Sequence, residues 1–108
     1  MELQEKYLTE LQERQLRLVK YYGPDHQLKR LTEECGELIV AIAKFQRSGQ
    51  HLNIKKKEPS ELLTNLISEI ADVENLIEQI KLDYGLVSDG VVKVKEYKVN
   101  RELDRIGG

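Results

Sequence analysis

Residues 25 to 47 read DHQLKRLTEECGELIVAIAKFQR, and this stretch decides the fold of the chain. Its apolar residues recur at a spacing of about 3.6, which is the period of an α-helix. The apolar stripe comprises Leu28, Leu31, Cys35, Leu38, Ile39, Ile42 and Phe45. The pattern predicts an amphipathic helix with Asp25 as its N-cap. The apolar face of this helix is expected to centre near Leu31, Cys35 and Ile42.

Helical periodicity continues on both sides of this segment. A first helix is predicted over roughly residues 2 to 21 of an N-terminal helical segment, 1–22, because the Gly-Pro pair at 23–24 then breaks the pattern. A third helix is predicted from Pro59, a residue suited to a first helical turn, to about Tyr84.

The two remaining segments are a loop and a tail. Residues 48 to 58 are polar, contain three consecutive lysines, and are expected to form an exposed basic loop. The tail from 87 to 106 is ambiguous, since the residues from Val91 to Lys95 alternate like a strand. Other apolar residues of the tail keep a helical spacing, namely Val92, Val99, Leu103 and Ile106. A lone strand would have no partner, so we predict a fourth helix and an all-α, four-helix bundle-like protomer.

Size and composition restrict the class of protein. A chain of 108 residues, a third of them charged and none of them Trp, has the composition of one helical domain, 1–108. A domain this small buries only a modest core alone, so we expect a homodimer or homotetramer joined through apolar helix faces. The formal charge of −2 gives no general attraction to nucleic acid or to anionic membranes.

The sequence also indicates a compartment. The single Cys35 excludes an internal disulfide and fits a reducing environment. No apolar run approaches the roughly 20 residues needed to span a bilayer. The start of the chain, MELQEKYLTE, lacks the basic and apolar regions of a secretory signal. We therefore expect a cytoplasmic protein.

The acidic residues of the two central helices lie where helices usually carry apolar side chains. On the second helix, Glu34 lies beside the apolar stripe, Glu37 follows around the same edge, and Glu33 comes at the far side. On the third helix, Glu69 falls within the apolar sector and Asp72 borders it. Like charges three residues apart weaken a helix, and half-buried carboxylates are costly unless they are paired.

A divalent cation would make this arrangement tolerable. We find no basic residue between or beside these acids on the shared helix edge, although Lys44 lies two turns further along. Carboxylates facing one another across two packed helices would select a hard cation such as Mg²⁺ or Mn²⁺. A di-iron centre of the ferritin type fits poorly, because neither His26 nor His51 stands three residues after a Glu. The alternative is that the acids are ordinary solvated residues of helix surfaces.

Two motifs resemble those of a known enzyme family. Glu33-Glu34-Cys-Gly-Glu37 followed by Glu69-Ile-Ala-Asp72 is similar to the signature of the MazG-like all-α nucleoside triphosphate pyrophosphohydrolases, which are related to dimeric dUTPases and dCTP pyrophosphatases. The resemblance covers about residues 22 to 106. The segment between the motifs is long for the family, and its excess lies in the 48–58 loop.

The resemblance implies a MazG-type bundle and a reaction. Mg²⁺ would be held by Glu34, Glu37, Glu69 and Asp72. Glu33 would be a further ligand, a supporting group or the base that deprotonates water, so Glu33 and Glu34 are the candidate catalytic residues. The enzyme would cut a (d)NTP to (d)NMP and pyrophosphate. Clustered Mg²⁺ ions explain how an acidic site can accept a polyanionic substrate.

Basic residues are expected to complete the phosphate site. Lys44 follows Glu37 by two turns, and Lys98, Arg101 and Arg105 share one face of the last helix. The last helix is similar to the basic ending of small family members, which favours substrate binding by these residues. Lys44 fits an ordinary surface charge equally well. A different class of function stays open as the alternative: a non-catalytic helical module that senses nucleotides or binds a protein.

Overall fold

The computed structural model describes residues 8–49 and 60–107, without the side chains of residues 86–88. It contains four helices in these ranges: α1 (Glu10–Tyr22), α2 (Pro24–Arg47), α3 (Glu61–Asp83) and α4 (Gly85–Arg105). None of the described residues lies in a strand, so the predicted all-α class is confirmed and the ambiguous tail is a helix. The three lysines of the predicted basic loop lie outside the described residues.

Helix α1 begins later than the sequence pattern predicts. Thr9 is its N-cap: the Thr9 hydroxyl accepts from the Gln12 backbone N–H at 3.0 Å, and the Gln12 side chain accepts from the Thr9 N–H at 3.0 Å. This reciprocal capping box satisfies two backbone donors and fixes the helix start. The prediction of one helix from residue 2 is therefore wrong at residues 8 and 9, which are not helical.

A single glycine joins α1 to α2. Gly23 has a φ of 89°, in the left-handed region that favours glycine, and its N–H donates to the Val19 carbonyl at 2.8 Å. Pro24 then occupies the first helical position, where its missing N–H costs nothing. The predicted N-cap role of Asp25 is wrong, because Asp25 already lies in the first turn, where it forms an ion pair with Lys29 at 3.5 Å.

The start of α3 is also displaced from the prediction. The hydroxyl of Ser60 accepts from the Leu63 N–H at 3.1 Å, which makes Ser60 the N-cap. The helix therefore begins at Glu61, and the predicted first residue, Pro59, lies outside the described residues. At the other end of the predicted loop, Ser48 ends α2 by donating from its hydroxyl to the Phe45 carbonyl at 2.6 Å. Residues 50–59 lie outside the described part of the chain.

Helix α3 is the centre of the bundle. It packs most extensively against α2, then against α1, and least against α4. The buried apolar core is small and comes from α1, α2 and α3: Val19, Ala41, Phe45, Val73 and Leu76. Three glutamines, one from each of these helices, are also buried: Gln15, Gln27 and Gln79. The core therefore mixes apolar packing with buried amides.

The buried face of α2 differs from the predicted one. Gln27 and Phe45 are buried, and they lie on one line along the helix with Glu34 close to it. Ile42 and Ile39, which belong to the predicted stripe, are 45% and 66% exposed. The face that packs on α3 is thus rotated by about 60° toward the acidic edge. This rotation moves Glu34 from beside the interface into it.

Helix α4 lies against α3 with little of its own surface covered. Its apolar stripe is mostly exposed, from 43% at Leu103 to 73% at Ile106. The radius of gyration of 17.0 Å exceeds the roughly 13 Å typical of a compact domain of this length. None of the described helices is both long enough and apolar enough to cross a bilayer.

Candidate metal centre

Three predicted ligands converge at the α2–α3 interface. Glu34, Glu37 and Glu69 each offer a carboxylate oxygen, and these oxygens lie within 4.8 Å of one another. Glu34 and Glu69 are half-buried, whereas Glu37 is exposed. The rotation of α2 toward its acidic edge explains why a residue from beside the predicted stripe reaches Glu69. We call these three residues the acidic cluster.

Two oxygens of the acidic cluster are buried without a partner. Oε2 of Glu34 and Oε2 of Glu69 are shielded from solvent, and neither accepts a hydrogen bond from any described residue. An unsatisfied buried polar atom costs about 1–3 kcal/mol, and more when it is charged. Buried polar atoms in native proteins nearly always have partners, so two orphaned oxygens in one cluster require an explanation. A cation held between them would provide one.

The pKa of the Glu34 carboxyl group is raised above its ordinary value of 4.5. Burial is the largest cause, because removal from water disfavours the charged form. A hydrogen bond with the Glu37 carboxyl group and the negative charges of Glu37 and Asp72 raise the pKa of Glu34 further. The positive charge of Arg30 acts in the opposite direction. The net effect is that the site penalises a charged Glu34 and would reward a bound cation.

A basic residue does stand beside the acids, contrary to the prediction that none would. A guanidinium nitrogen of Arg30 lies 3.7 Å from Oε1 of Glu34, one helical turn away. The separation is that of an ion pair and is too long for a hydrogen bond. The Arg30 side chain is 45% exposed, so solvent weakens this attraction. Arg30 therefore offsets part of the negative charge and leaves Oε2 of Glu34 without a partner.

The other two predicted acids lie on opposite sides of the acidic cluster. Glu33 is exposed and, with Glu37 and Glu69, lines a groove of about 510 Å³ between α2 and α3. Asp72 is exposed and lines a second groove, of about 300 Å³, together with Arg30. Asp72 is not one of the three converging ligands, although its charge acts on Glu34. The structure thus brings three of the five predicted acids together and places the other two at the flanks.

The predicted phosphate-binding residues lie elsewhere in the described chain. Lys44, Lys98, Arg101 and Arg105 are all exposed, and they are absent from the linings of both grooves. Arg101 lies over the Tyr97 ring at 5.8 Å, and Arg105 pairs with Glu102. Lys98 borders a separate apolar depression on α4. Within one protomer, the sequence-predicted phosphate site is not assembled at the acidic cluster, and the role of these residues stays a prediction.

Sequence reasoning missed the buried amides beside the acidic cluster. Gln15 and Asn75 line the second groove, which we call the amide groove, and the Gln15 amide donates to the Asn75 side chain at 2.9 Å. Gln27 donates to Gln79 at 2.7 Å inside the core. A signal was available: on α2, Gln27 lies close in angle to Leu31, Leu38 and the other inward residues. A search for charged side chains on inward faces does not find such neutral amides.

The donor set of the acidic cluster fits a hard divalent cation. Three carboxylates supply oxygen ligands only, and Mg²⁺ is commonly held by few carboxylates together with water and substrate phosphates. No described histidine or cysteine joins the acidic cluster, so the soft or nitrogen ligands typical of zinc are lacking there. The orphaned oxygens add an energetic reason for an ion to bind.

Comparisons with known proteins provide no further evidence on this site. Comparison of the sequence with protein-family profiles and curated proteins, and of the fold with solved structures, finds no match. The family likeness therefore rests on the two acidic motifs and the helices that carry them.

Proposed function

We propose that this chain is a Mg²⁺-dependent nucleotide pyrophosphohydrolase of the MazG-like type, cutting a (d)NTP to (d)NMP and pyrophosphate. One observation carries the proposal: Glu34, Glu37 and Glu69 present oxygens within 4.8 Å of one another, two of these carboxylates having a buried oxygen without a partner. A surface decorated at random with acids would leave its carboxylates hydrated. Mn²⁺ would serve in place of Mg²⁺, since both prefer hard oxygen ligands.

The positions of the acidic residues suggest a different role for each of them. Glu34, Glu37 and Glu69 hold the cation, with Asp72 adding negative charge from the flank. When bound, the cation supplies charge neutralisation for the triphosphate and lowers the pKa of a coordinated water. Glu33 is exposed in the same groove as Glu37 and Glu69 and is not one of the three converging ligands, so its carboxylate is free to accept a proton from water. Water adds to the α-phosphorus, the α–β anhydride bond breaks, and pyrophosphate leaves.

The direct test is a product-resolved screen. The protein is incubated with each common dNTP and NTP with Mg²⁺, with Mn²⁺ and with EDTA, and the products are separated by ion exchange. We expect monophosphate and pyrophosphate in equal amounts, and no reaction with EDTA. Orthophosphate as the direct product, or equal rates with and without metal, would contradict the proposed reaction.

One observation favours the alternative of a non-catalytic helical module. Arg30 already offsets part of the Glu34 charge, as expected of a protein whose acids are neutralised by its own side chains. Such a module would bind nucleotide or a protein partner without turnover. Turnover separates the two functions, because the module would bind nucleotide or metal without releasing pyrophosphate. Thermal unfolding tests the metal site itself: a metal site raises the melting temperature with Mg²⁺, and an acidic patch neutralised by Arg30 alone does not.

We further propose that the protein works as a homo-oligomer, a dimer or a tetramer, in the cytoplasm. The exposed apolar stripe of α4 and the large radius of gyration support a second copy packed on this helix. A second copy would also offer a route by which Lys98 and Arg101 of one protomer reach the acidic cluster of another. No stable binding to nucleic acid or membranes is proposed for a chain of net charge −2.

A further inference from the structure

We propose that the amide groove binds the base of the nucleotide through the side chain of Gln15. The amide groove lies between α1, α2 and α3 and is lined by Gln15, Asn75 and Gln79 together with apolar side chains of Leu11, Leu18 and Leu76. The inference rests on the proposed function, because it assigns the part of the substrate that lies next to the metal-binding acids. It names a ligand class: a flat heterocycle with N–H donors on its edge.

Gln15 has a buried hydrogen-bond acceptor that nothing in the described chain satisfies. The residue is only 6% exposed, its Nε2 donates to Oδ1 of Asn75 at 2.9 Å, and its Oε1 is shielded from solvent without a partner. Leaving such an atom unpaired costs about 1–3 kcal/mol. A leucine at this position would avoid the cost, so the retained amide points to a ligand that donates a hydrogen bond.

Neighbouring amides are held in fixed orientations that leave donors available. Oε1 of Gln79 accepts from Gln27 at 2.7 Å, and the Gln27 oxygen lies 2.8 Å from Nδ1 of His26. The hydrogen bonds of Gln79 and Asn75 engage their oxygens, and neither amide nitrogen donates to a described residue. The lining of the amide groove therefore includes one acceptor and two amide donors.

This combination matches the edge of a nucleobase. Every nucleobase carries an N–H donor next to an acceptor, and side-chain amides pair with such edges in a bidentate way. The three leucines supply apolar contact for the flat ring. The volume of about 300 Å³ lies at the small end of ligand sites, which suits one base and excludes a dinucleotide or a peptide.

The position of the amide groove relative to the acidic cluster completes the argument. Arg30 and Asp72 line the amide groove, and both also act electrostatically on Glu34. A base seated against Gln15 would therefore leave its sugar and phosphates at the side of the groove that borders the acidic cluster. The Arg30 guanidinium is 45% exposed, so the N–H donors that do not face Glu34 can contact a phosphate from there.

The test separates base binding from metal and phosphate binding. Uridine, cytidine, adenosine and guanosine are titrated into the isotope-labelled protein, and the side-chain amide signals of Gln15, Asn75 and Gln79 are followed by NMR. Inorganic tripolyphosphate with Mg²⁺ is titrated separately. We expect at least one nucleoside to shift the amide-groove signals and tripolyphosphate to shift the signals of the acidic cluster.

Two variants and a matched control make the result decisive. Gln15→Leu should weaken nucleoside binding by about tenfold, the loss of one hydrogen bond, and leave tripolyphosphate binding unchanged. Gln46→Leu makes the same change at an exposed position of α2 that does not line the amide groove, so it should bind nucleoside normally. Asn75→Ala, at an exposed position, should weaken nucleoside binding even if Gln15→Leu fails to fold.

The outcomes distinguish this inference from the proposed function. Nucleoside binding without any tripolyphosphate or Mg²⁺ binding would support the amide groove and overturn the pyrophosphohydrolase proposal. Tripolyphosphate binding with no shift of the Gln15, Asn75 or Gln79 signals by any nucleoside would overturn the amide groove alone. Equal weakening by Gln15→Leu and Gln46→Leu would also overturn it, since the effect would then not depend on the groove.

Discussion

The α2–α3 interface and helix α4 depart from ordinary burial in opposite directions. The interface shields carboxylate oxygens of Glu34 and Glu69 from water, whereas α4 exposes most of its apolar stripe. Each departure is unfavourable for the isolated chain, because the shielded carboxylate oxygens lack a partner and the exposed apolar surface is not covered. The two regions therefore call for different partners under the proposed function: a cation at the interface and a second copy of the chain on α4.

The largest effect is expected from a substitution in the acidic cluster at the α2–α3 interface. Glu69→Gln removes one of three converging ligands while keeping the shape of the side chain, so Mg²⁺-dependent turnover should fall by about 100-fold or more. Mg²⁺ should also lose its stabilising effect, which for a saturated site is about 2.7 kcal/mol at 100 times the dissociation constant. Steady-state kinetics and thermal unfolding with and without Mg²⁺ measure the two effects.

The control for this substitution lies on the same helix. Glu74→Gln makes the same chemical change at an exposed position of α3 that is not among the converging ligands. It should keep both turnover and stabilisation by Mg²⁺. If the two variants behave alike, the acidic cluster is not a metal site.

A charge placed on the exposed apolar stripe of α4 tests whether this helix mediates self-association. Leu103→Glu should weaken self-association on the order of 100-fold, because a charged side chain would have to be buried in the interface between copies. Sedimentation equilibrium over a range of concentrations measures the shift toward monomer. Asn100→Glu introduces a charge off the stripe of the same helix and should leave the oligomer intact. A wild-type protein that stays monomeric at high concentration would refute the proposed partner.

The helical class and the order of the helices follow directly from the sequence, whereas helix boundaries do not. Periodicity reports which residues repeat, and it correctly predicts α2, α3 and the ambiguous tail as helices. Boundaries depend on local hydrogen bonds, such as the capping box at Thr9 and the N-cap at Ser60. Those bonds set the residue at which a helix begins, and the spacing of apolar residues does not predict which polar side chain will form them.

The acidic cluster was only partly predictable for a related reason. Spacing of three identifies Glu34 with Glu37 as one pair, but the rotation of α2 about its axis depends on what α3 and α1 present to it. The buried glutamines Gln27 and Gln79 bond across the α2–α3 interface on the line of α2 next to Glu34. Arg30 stands beside Glu34 because the two residues are four positions apart on one helix. Sequence reasoning that places only apolar residues inside misses both the amides and the arginine.

A smaller effect is expected on the pH dependence of stability in the absence of metal, through Glu34 at the interface. The raised pKa of Glu34 means that the folded state holds a proton more tightly than the unfolded chain, whose value is near 4.5. Metal-free stability is therefore lost through this group as pH rises from about 4.5 through the folded pKa, and the loss is complete above it. Glu34→Gln removes this penalty. Its melting temperature should exceed that of the wild type by roughly 5 °C near neutral pH, since the neutral amide avoids shielding a charged group from water, a difference of about 1 kcal/mol.

The pH series also contains its own check. The advantage of Glu34→Gln over the wild type should shrink as the pH falls toward 4.5, because the wild-type carboxyl group is then protonated in both states. Glu74→Gln should show no pH-dependent difference of this kind. An advantage that is constant with pH would mean that Glu34 is not penalised for its charge.

The smallest expected effect concerns Arg30, the cation that the chain itself supplies. Arg30→Gln removes a partly exposed ion pair worth about 0.5 kcal/mol, so the metal-free melting temperature should fall by roughly 2–4 °C. With Mg²⁺ present the loss should be recovered, because a bound cation replaces the guanidinium beside Glu34. Lys29→Gln breaks a comparable ion pair to Asp25, one position earlier and far more exposed, and any loss there should be unchanged by Mg²⁺. If Mg²⁺ fails to rescue Arg30→Gln, the guanidinium and the metal do not share a site, and the interface needs no cation beyond the arginine it already has.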